Sequence, residues 1–313
     1  MKLPASPEAN QKQNAVIVVV QPPAAREGLA AFEGLERLVG AEGVRNVREA
    51  VFRDLAVKMR QWAEYSTCFL LADERAAQGA GDLTEHYERL EFTGEQPSSF
   101  REGLGLLLEA VWEQNFRRVA FVDAFAPSLP AGLMRDAFEW LWERDVVLGP
   151  NLTGGCYLIG LRDLEARVLP EMSWHKPAAF METVEHVRSA GLTLQLVDFF
   201  NALAELRDVP YLYAHLAAQA AHGGASDVAF EGGHTFEALH ALAGGEWLLA
   251  DERFRALLAA DGAAATTTLA DESTNGNHAG DNDDAPTQRR PAPTLQDGAP
   301  APLPGDLPPR RRR

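Results

Sequence analysis

Only two cysteines, Cys68 and Cys156, occur in 313 residues, and both sit inside apolar runs. A disulfide framework is therefore not expected, and the pair reads as buried thiols of a cytoplasmic protein. No apolar stretch approaches the roughly 20 residues that a membrane span needs. The N-terminal MKLPASPEANQKQN has no apolar core segment, so no secretory signal is expected. Lysine is scarce: Lys2, Lys12, Lys58 and Lys176 are the whole set. The net charge is −16, and residues 261–313, with eight acidic and six basic groups, account for only −2 of it. The body of the protein is thus acidic, which excludes nucleic acid as its partner. Metalloprotease HExxH, paired CxxC, nucleophile-elbow GxSxG and phosphate-loop GxxxxGK[ST] patterns are all missing.

What is present is an alternation. AVIVVV (Ala15–Val20), TCFLLA (Thr67–Ala72) and RVAFVD (Arg118–Asp123) are short apolar runs, as expected of strands buried on both faces. Val146–Leu148, Cys156–Leu161 and Thr193–Val197 continue the series. Helical spacing lies between them, over Val47–Tyr65, Arg101–Gln114, Ala131–Glu143 and Pro177–Ala190. Strands alternating with helices predict an α/β fold: a mostly parallel sheet flanked by helices, with right-handed crossovers. After Phe199 the pattern is helical up to about Ala260. From Ala263 onward large apolar residues nearly vanish, so that stretch cannot bury a core. Four parts are expected: a disordered tail 1–14, an α/β domain 15–209, a helical extension 210–262 packed on it, and a disordered tail 263–313 ending in the solvated Arg310–Arg313.

Ligands of such sheets bind at the carboxyl ends of the strands. The loop after the first strand, Gln21–Gly28, has one late glycine and one arginine, whereas a phosphate loop wants several glycines and a cation. In the second, Gln78-Gly79-Ala80-Gly81-Asp82-Leu83, two glycines allow close backbone approach to a flat ligand. Asp82 there is placed to cap a helix starting at Leu83. The third runs from Asp123 to Pro130, with Ser128 as an N-cap candidate and Pro130 near the first helical position. Asp123 is its one carboxylate, a thin basis for a hard divalent cation. The fourth lies within DVVLGPNLTGGCYLIGL (Asp145–Leu161), which reads as strand, turn, turn, strand. It predicts a backbone shelf beside a ligand pocket, with no charged side chain across Asn151-Leu152-Thr153. His175, in Ser173-Trp174-His175-Lys176-Pro177, reads as a surface or helix-capping residue.

In this order, AVIVVVQPP, QGAGDL, RVAFVDAFAPSLP, DVVLGPNLTGGCYLIGL and a Trp-x-x-Pro before a helix resemble one bacterial family. It is that of the glycosyltransferase-A-like proteins of the nucleotide-diphospho-sugar transferase superfamily, some of them assigned to arsenosugar biosynthesis. The resemblance covers Ala15 to Val209 and implies a Rossmann-like three-layer sandwich. It also implies nucleotide binding at Gln78, Gly79, Gly81, Asp82, Gly154 and Gly155, and, in an active member, Mn or Mg as cofactor.

The departures fall where the chemistry should be. Gln21 stands at the family's lysine, and Leu29 and Ala31 stand at later basic positions. Phe125 stands at the metal-binding aspartate of GSDSPDLP, and Thr153 replaces the aspartate of DGG. Asn201-Ala202-Leu203-Ala204 replaces DVDT. Gly149, Pro150, Gly154, Gly155, Tyr157, Leu158 and Gly160 are kept. Phenylalanine cannot coordinate a hard cation, and losing carboxylate and phosphate cations together removes the charge stabilisation that sugar-nucleotide cleavage requires. The resemblance with these losses implies a non-catalytic binding or regulatory module without a cofactor, taking a nucleotide sugar or a protein as partner. The alternative is an active nucleotide-sugar-dependent glycosyltransferase or nucleotidyltransferase with Asp123 as catalytic residue in a rearranged metal site. Asp123 precedes Phe125 by two residues, on the same face of an extended strand but about 6–7 Å back along it.

Overall fold

Seven strands form one sheet in the order β3-β2-β1-β4-β6-β5-β7. A computed structural model describes residues 13–20, 30–72, 81–90, 92, 97–163, 168–171, 173–223, 232–242 and 252–260. The strands are β1 (Asn14–Val19), β2 (Thr67–Leu71), β3 (Glu88–Leu90), β4 (Arg118–Asp123), β5 (Val146–Pro150), β6 (Cys156–Arg162) and β7 (Leu194–Leu196). The helices are α1 (Ala30–Trp62), α2 (Gly81–His86), α3 (Phe100–Glu113), α4 (Leu133–Trp140), α5 (Ala179–Ser189), α6 (Asp208–Gly223) and α7 (Gly233–Leu242). The α/β fold with a mostly parallel sheet is therefore as the alternation predicts. The exception is β6, which runs antiparallel to both β4 and β5. Only five residues join it to β5, too few for a parallel crossover. Among the described residues no helix is long and apolar enough to cross a membrane.

Alternation along the central strands feeds two cores. Val16 and Val18 of β1, with Ala120 and Val122 of β4, pack on the side of α1. Ala15, Ile17 and Val19, with Val119 and Phe121, pack on the side of α3. Both cysteines are outside any disulfide and buried, one in each core.

Two elements differ from the sequence reading. β3 is only three residues long, too short to register as a run. The helix expected over Val47–Tyr65 starts at Ala30 and is interrupted at Gly40, whose φ of 73° is open to glycine at little cost. That interruption splits the periodicity into two stretches and hides the first.

The C-terminal helices share the α1-side core through Leu212, Leu216, Leu239 and Phe254. A buried carboxylate fixes the start of α7 in place. Asp54 of α1 accepts the His234 N–H at 3.1 Å, the Thr235 N–H at 2.8 Å and the Thr235 hydroxyl at 2.6 Å. It caps the first turn of α7 from another helix, where orphan N–H groups and the helix dipole favour an anion. Asp54→Ala should lower stability by about 2–3 kcal/mol, since buried donors lose their acceptor. Urea unfolding checks this.

A second carboxylate pins the edge strand. Asp145 accepts the Thr193 N–H at 2.9 Å and hydroxyl at 2.7 Å, and pairs with Arg162 at 2.5 Å. Burial pushes its carboxyl up, but the Thr193 bonds and Arg162 together hold it below the usual range. A depressed carboxylate contributes stability that is present above its unfolded value of ~3.9 and is lost as pH falls through the lower folded value. Asp145→Asn should therefore flatten the acid side of the stability–pH curve below ~4. Thermal midpoints measured between pH 2 and 6 test the expectation.

Candidate functional site

The carboxyl ends of β1, β2, β4 and β5 lie along one side of the sheet. Of the residues expected there, Gln78 and Gly79 fall outside the described residues. Gly81 is exposed at the start of α2, and Asp82 is inside its first turn. The helix thus begins two residues before the Leu83 start that would make Asp82 its cap.

Asp123 ends β4 with its side chain wholly buried. A buried carboxylate must be hydrogen-bonded, and both oxygens are. Oδ1 accepts the Phe125 N–H at 2.9 Å, and Oδ2 meets His175 Nε2 at 2.8 Å. His175 is thus neither a surface residue nor a helix cap: its side chain is 12% exposed, and α5 has Ala178 at its N-cap with no side-chain bond. Nothing in the sequence links two residues 52 positions apart, so only the fold reveals the pair. Ser128 also departs from expectation. It is fully buried, its hydroxyl has no partner among the described residues, and α4 starts later, after Gly132.

The chain turns at 124–125, so Asp123 and Phe125 do not share a face. Phe125 enters the α1-side core against Phe32 (5.1 Å between centroids, edge-on) and Phe52 (5.8 Å). Its carbonyl accepts the Leu203 N–H at 2.8 Å. The fold therefore brings together two segments at which the sequence departs from the family pattern, 125 and 201–204. Between them stand buried Phe125, Ala202, Leu203 and Ala204. This set does not fit a divalent cation, which wants carboxylate and water oxygens. Among the described residues no group of three or more His, Cys, Asp or Glu could hold a metal ion.

The hairpin turn between β5 and β6 is built on Asn151. Its Oδ1 accepts the Thr153 N–H at 3.0 Å, the Thr153 hydroxyl at 2.8 Å and the Gly155 N–H at 2.9 Å. Gly154 has φ +92°, a conformation for which glycine is suited. The shelf is covered by the chain itself. A Cβ on Gly155 would lie 2.1 Å from the Trp174 carbonyl oxygen, and one on Gly154 2.5 Å from that of Pro177. Cys156 N–H donates to Trp174 O at 2.8 Å, and Phe180 N–H to Gly154 O at 3.2 Å. Beneath this cover, burial pushes the Cys156 thiol up to about 12. Tyr157 is likewise raised by burial, with Asp198 adding to the effect, and its hydroxyl donates to the Asp198 carbonyl at 2.6 Å.

Comparison with known proteins gives this geometry a setting. Residues 55–176 match the family described as "uncharacterized protein conserved in bacteria (DUF2064)". A provisionally named nucleotide-diphospho-sugar transferase from Desulfovibrio desulfuricans G20 superposes with a TM-score of 0.57 at 17% identity, covering 74% of this chain and 96% of that one. The two proteins share one fold. A more distant similarity is to the 4-diphosphocytidyl-2C-methyl-D-erythritol synthase of Anaerococcus prevotii DSM 20548, at TM-score 0.40 and 12% identity, over 66% of this chain and 99% of that one. No curated protein matches the sequence.

The apolar setting of Phe125 can be tested by substitution. Phe125→Leu should cost about 1 kcal/mol of stability, a change of shape in a packed core. Phe125→Asp should cost more than ~3 kcal/mol and gain nothing from added Mn²⁺, because it buries an unpaired charge. Chemical denaturation with and without the metal distinguishes the two outcomes.

Proposed function

We propose that this protein is a non-catalytic member of the nucleotide-diphospho-sugar transferase fold, a binding or regulatory module that works without a divalent metal. The observation that carries this reading is the packing of Phe125 against Phe32 and Phe52, beside Leu203. Metal-dependent transfer places a cation against the diphosphate and neutralises charge as the leaving group departs. Here an aromatic core occupies the position that the resemblance gives to the ligand carboxylate. Asp123, the one carboxylate at the end of β4, has both oxygens engaged by Phe125 N–H and His175. Recruiting it for a metal would break two hydrogen bonds of a buried anion.

The two glycines of the hairpin turn have a packing role that needs no nucleotide. Gly154 and Gly155 lie beside Pro177 and Trp174, where any side chain would collide with backbone. The partner of such a module is a nucleotide sugar bound without metal, or another protein. An active nucleotide-sugar-dependent transferase or nucleotidyltransferase is the competing reading, with Asp123 as its catalytic residue and Gln78, Gly79, Gly81 and Asp82 beside the nucleotide.

Isothermal titration of the purified chain with UDP- and GDP-sugars, with and without Mn²⁺, separates the two. The module predicts no difference in binding between the metal and metal-free titrations and no release of nucleoside diphosphate over hours. Metal-dependent binding followed by turnover would overturn it.

A further inference from the structure

We infer that the segment Ser173–Pro177 is a strap occupying the Asn151–Gly155 shelf as an internal stand-in for a ligand, held shut by the His175–Asp123 pair. The inference deepens the binding-module reading and rests on it for the ligand. Movement of the strap is measured without any ligand, so the two can fail separately.

The strap is attached at three kinds of point. Its backbone is fixed by Cys156 N–H to Trp174 O and by the neighbouring Phe180 N–H to Gly154 O. Its indole ring is fully buried beside Phe100, at 5.8 Å between centroids. One side-chain bond, His175 Nε2 to Asp123 Oδ2, ties it to the central strand β4.

What separates a strap from ordinary packing is what closure leaves unmet. Trp174 Nε1 and Asn151 Nδ2 are both enclosed, and neither has a partner among the described residues. Asn151 is 3% exposed, and its Nδ2 lies 3.2 Å from where a Cβ on Gly155 would be, a point also 3.2 Å from the His175 carbonyl carbon. An enclosed donor without an acceptor is unfavourable, because it has given up its bond to water. The closed contact thus stores unfavourable free energy at its centre, and the His175–Asp123 bond offsets it from the rim. Such a balance describes an element that opens locally, well below the free energy of global unfolding. Opening frees the Cys156 N–H and the Asn151 amide together. A ligand seated there brings an acceptor oxygen to the place now held by the Trp174 carbonyl.

The two cysteines report on this directly. Cys156 shares the α3-side core with Trp174, while Cys68 lies in the α1-side core. Strap release exposes only the first; global unfolding exposes both. In His175→Ala, iodoacetamide labelling mapped by mass spectrometry should rise by about tenfold or more at Cys156 with Cys68 unchanged, the effect of losing one hydrogen bond to a charged group. Equal acceleration at both cysteines, or none at Cys156, overturns the proposal. Native-state hydrogen exchange of the unaltered chain provides a test that needs no folded variant. The Cys156 and Phe180 amides should exchange together, faster than the Val119 and Phe121 amides of β4. Exchange of all four at one common free energy also overturns it.

Discussion

A carboxylate buried at the end of a central strand must find donors, and most of the site follows from how Asp123 finds them. Charge in a low-dielectric interior is tolerated only when it is fully hydrogen-bonded. The first donor, Phe125 N–H, bends the backbone immediately after β4. That bend sends the Phe125 ring to the α1 side of the sheet and lines up its carbonyl for Leu203. The second donor, His175, comes from 52 residues away and brings the Trp174–Pro177 segment across the hairpin glycines. One electrostatic requirement thereby shapes the β4 loop, the residues after β7 and the cover of the shelf.

The sheet was legible in the sequence because its strands are short runs of large apolar residues separated by helical spacing. Six of the seven strands are visible that way, and the seventh, Glu88–Leu90, carries only one buried side chain. The antiparallel course of β6 is encoded too, in the Gly-Pro and Gly-Gly turns that leave no room for a crossover. Side-chain pairing across the fold was not legible. Asp123 with His175 and Asp54 with Thr235 depend on registers that local pattern cannot express. The shelf itself was read correctly as backbone and as free of charge. Its occupation by residues 174–177 requires knowing that Gly155 and Trp174 meet. Glycine marks a close approach, but the sequence does not say to what.

The position that the resemblance gives to a ligand carboxylate is apolar and packed. Phe125 makes two aromatic contacts, and Ala202, Leu203 and Ala204 are buried next to it. A polar cavity at this place would be wet, whereas close packing adds stability. Phe125 serves folding, and placing an anion there means opposing the packing of α1 against the sheet.

The capping of α7 by Asp54 sets a limit on where this chain can be divided. The sequence pattern suggests a boundary near residue 209, yet the acceptor for the first turn of α7 sits in the middle of α1, within the sheet-bearing part. Ending the chain before α7 would leave the buried Asp54 carboxylate without these donors and take Leu239 out of the same core. The helices after β7 thus share one core with the sheet, and a division near residue 209 would cut through it.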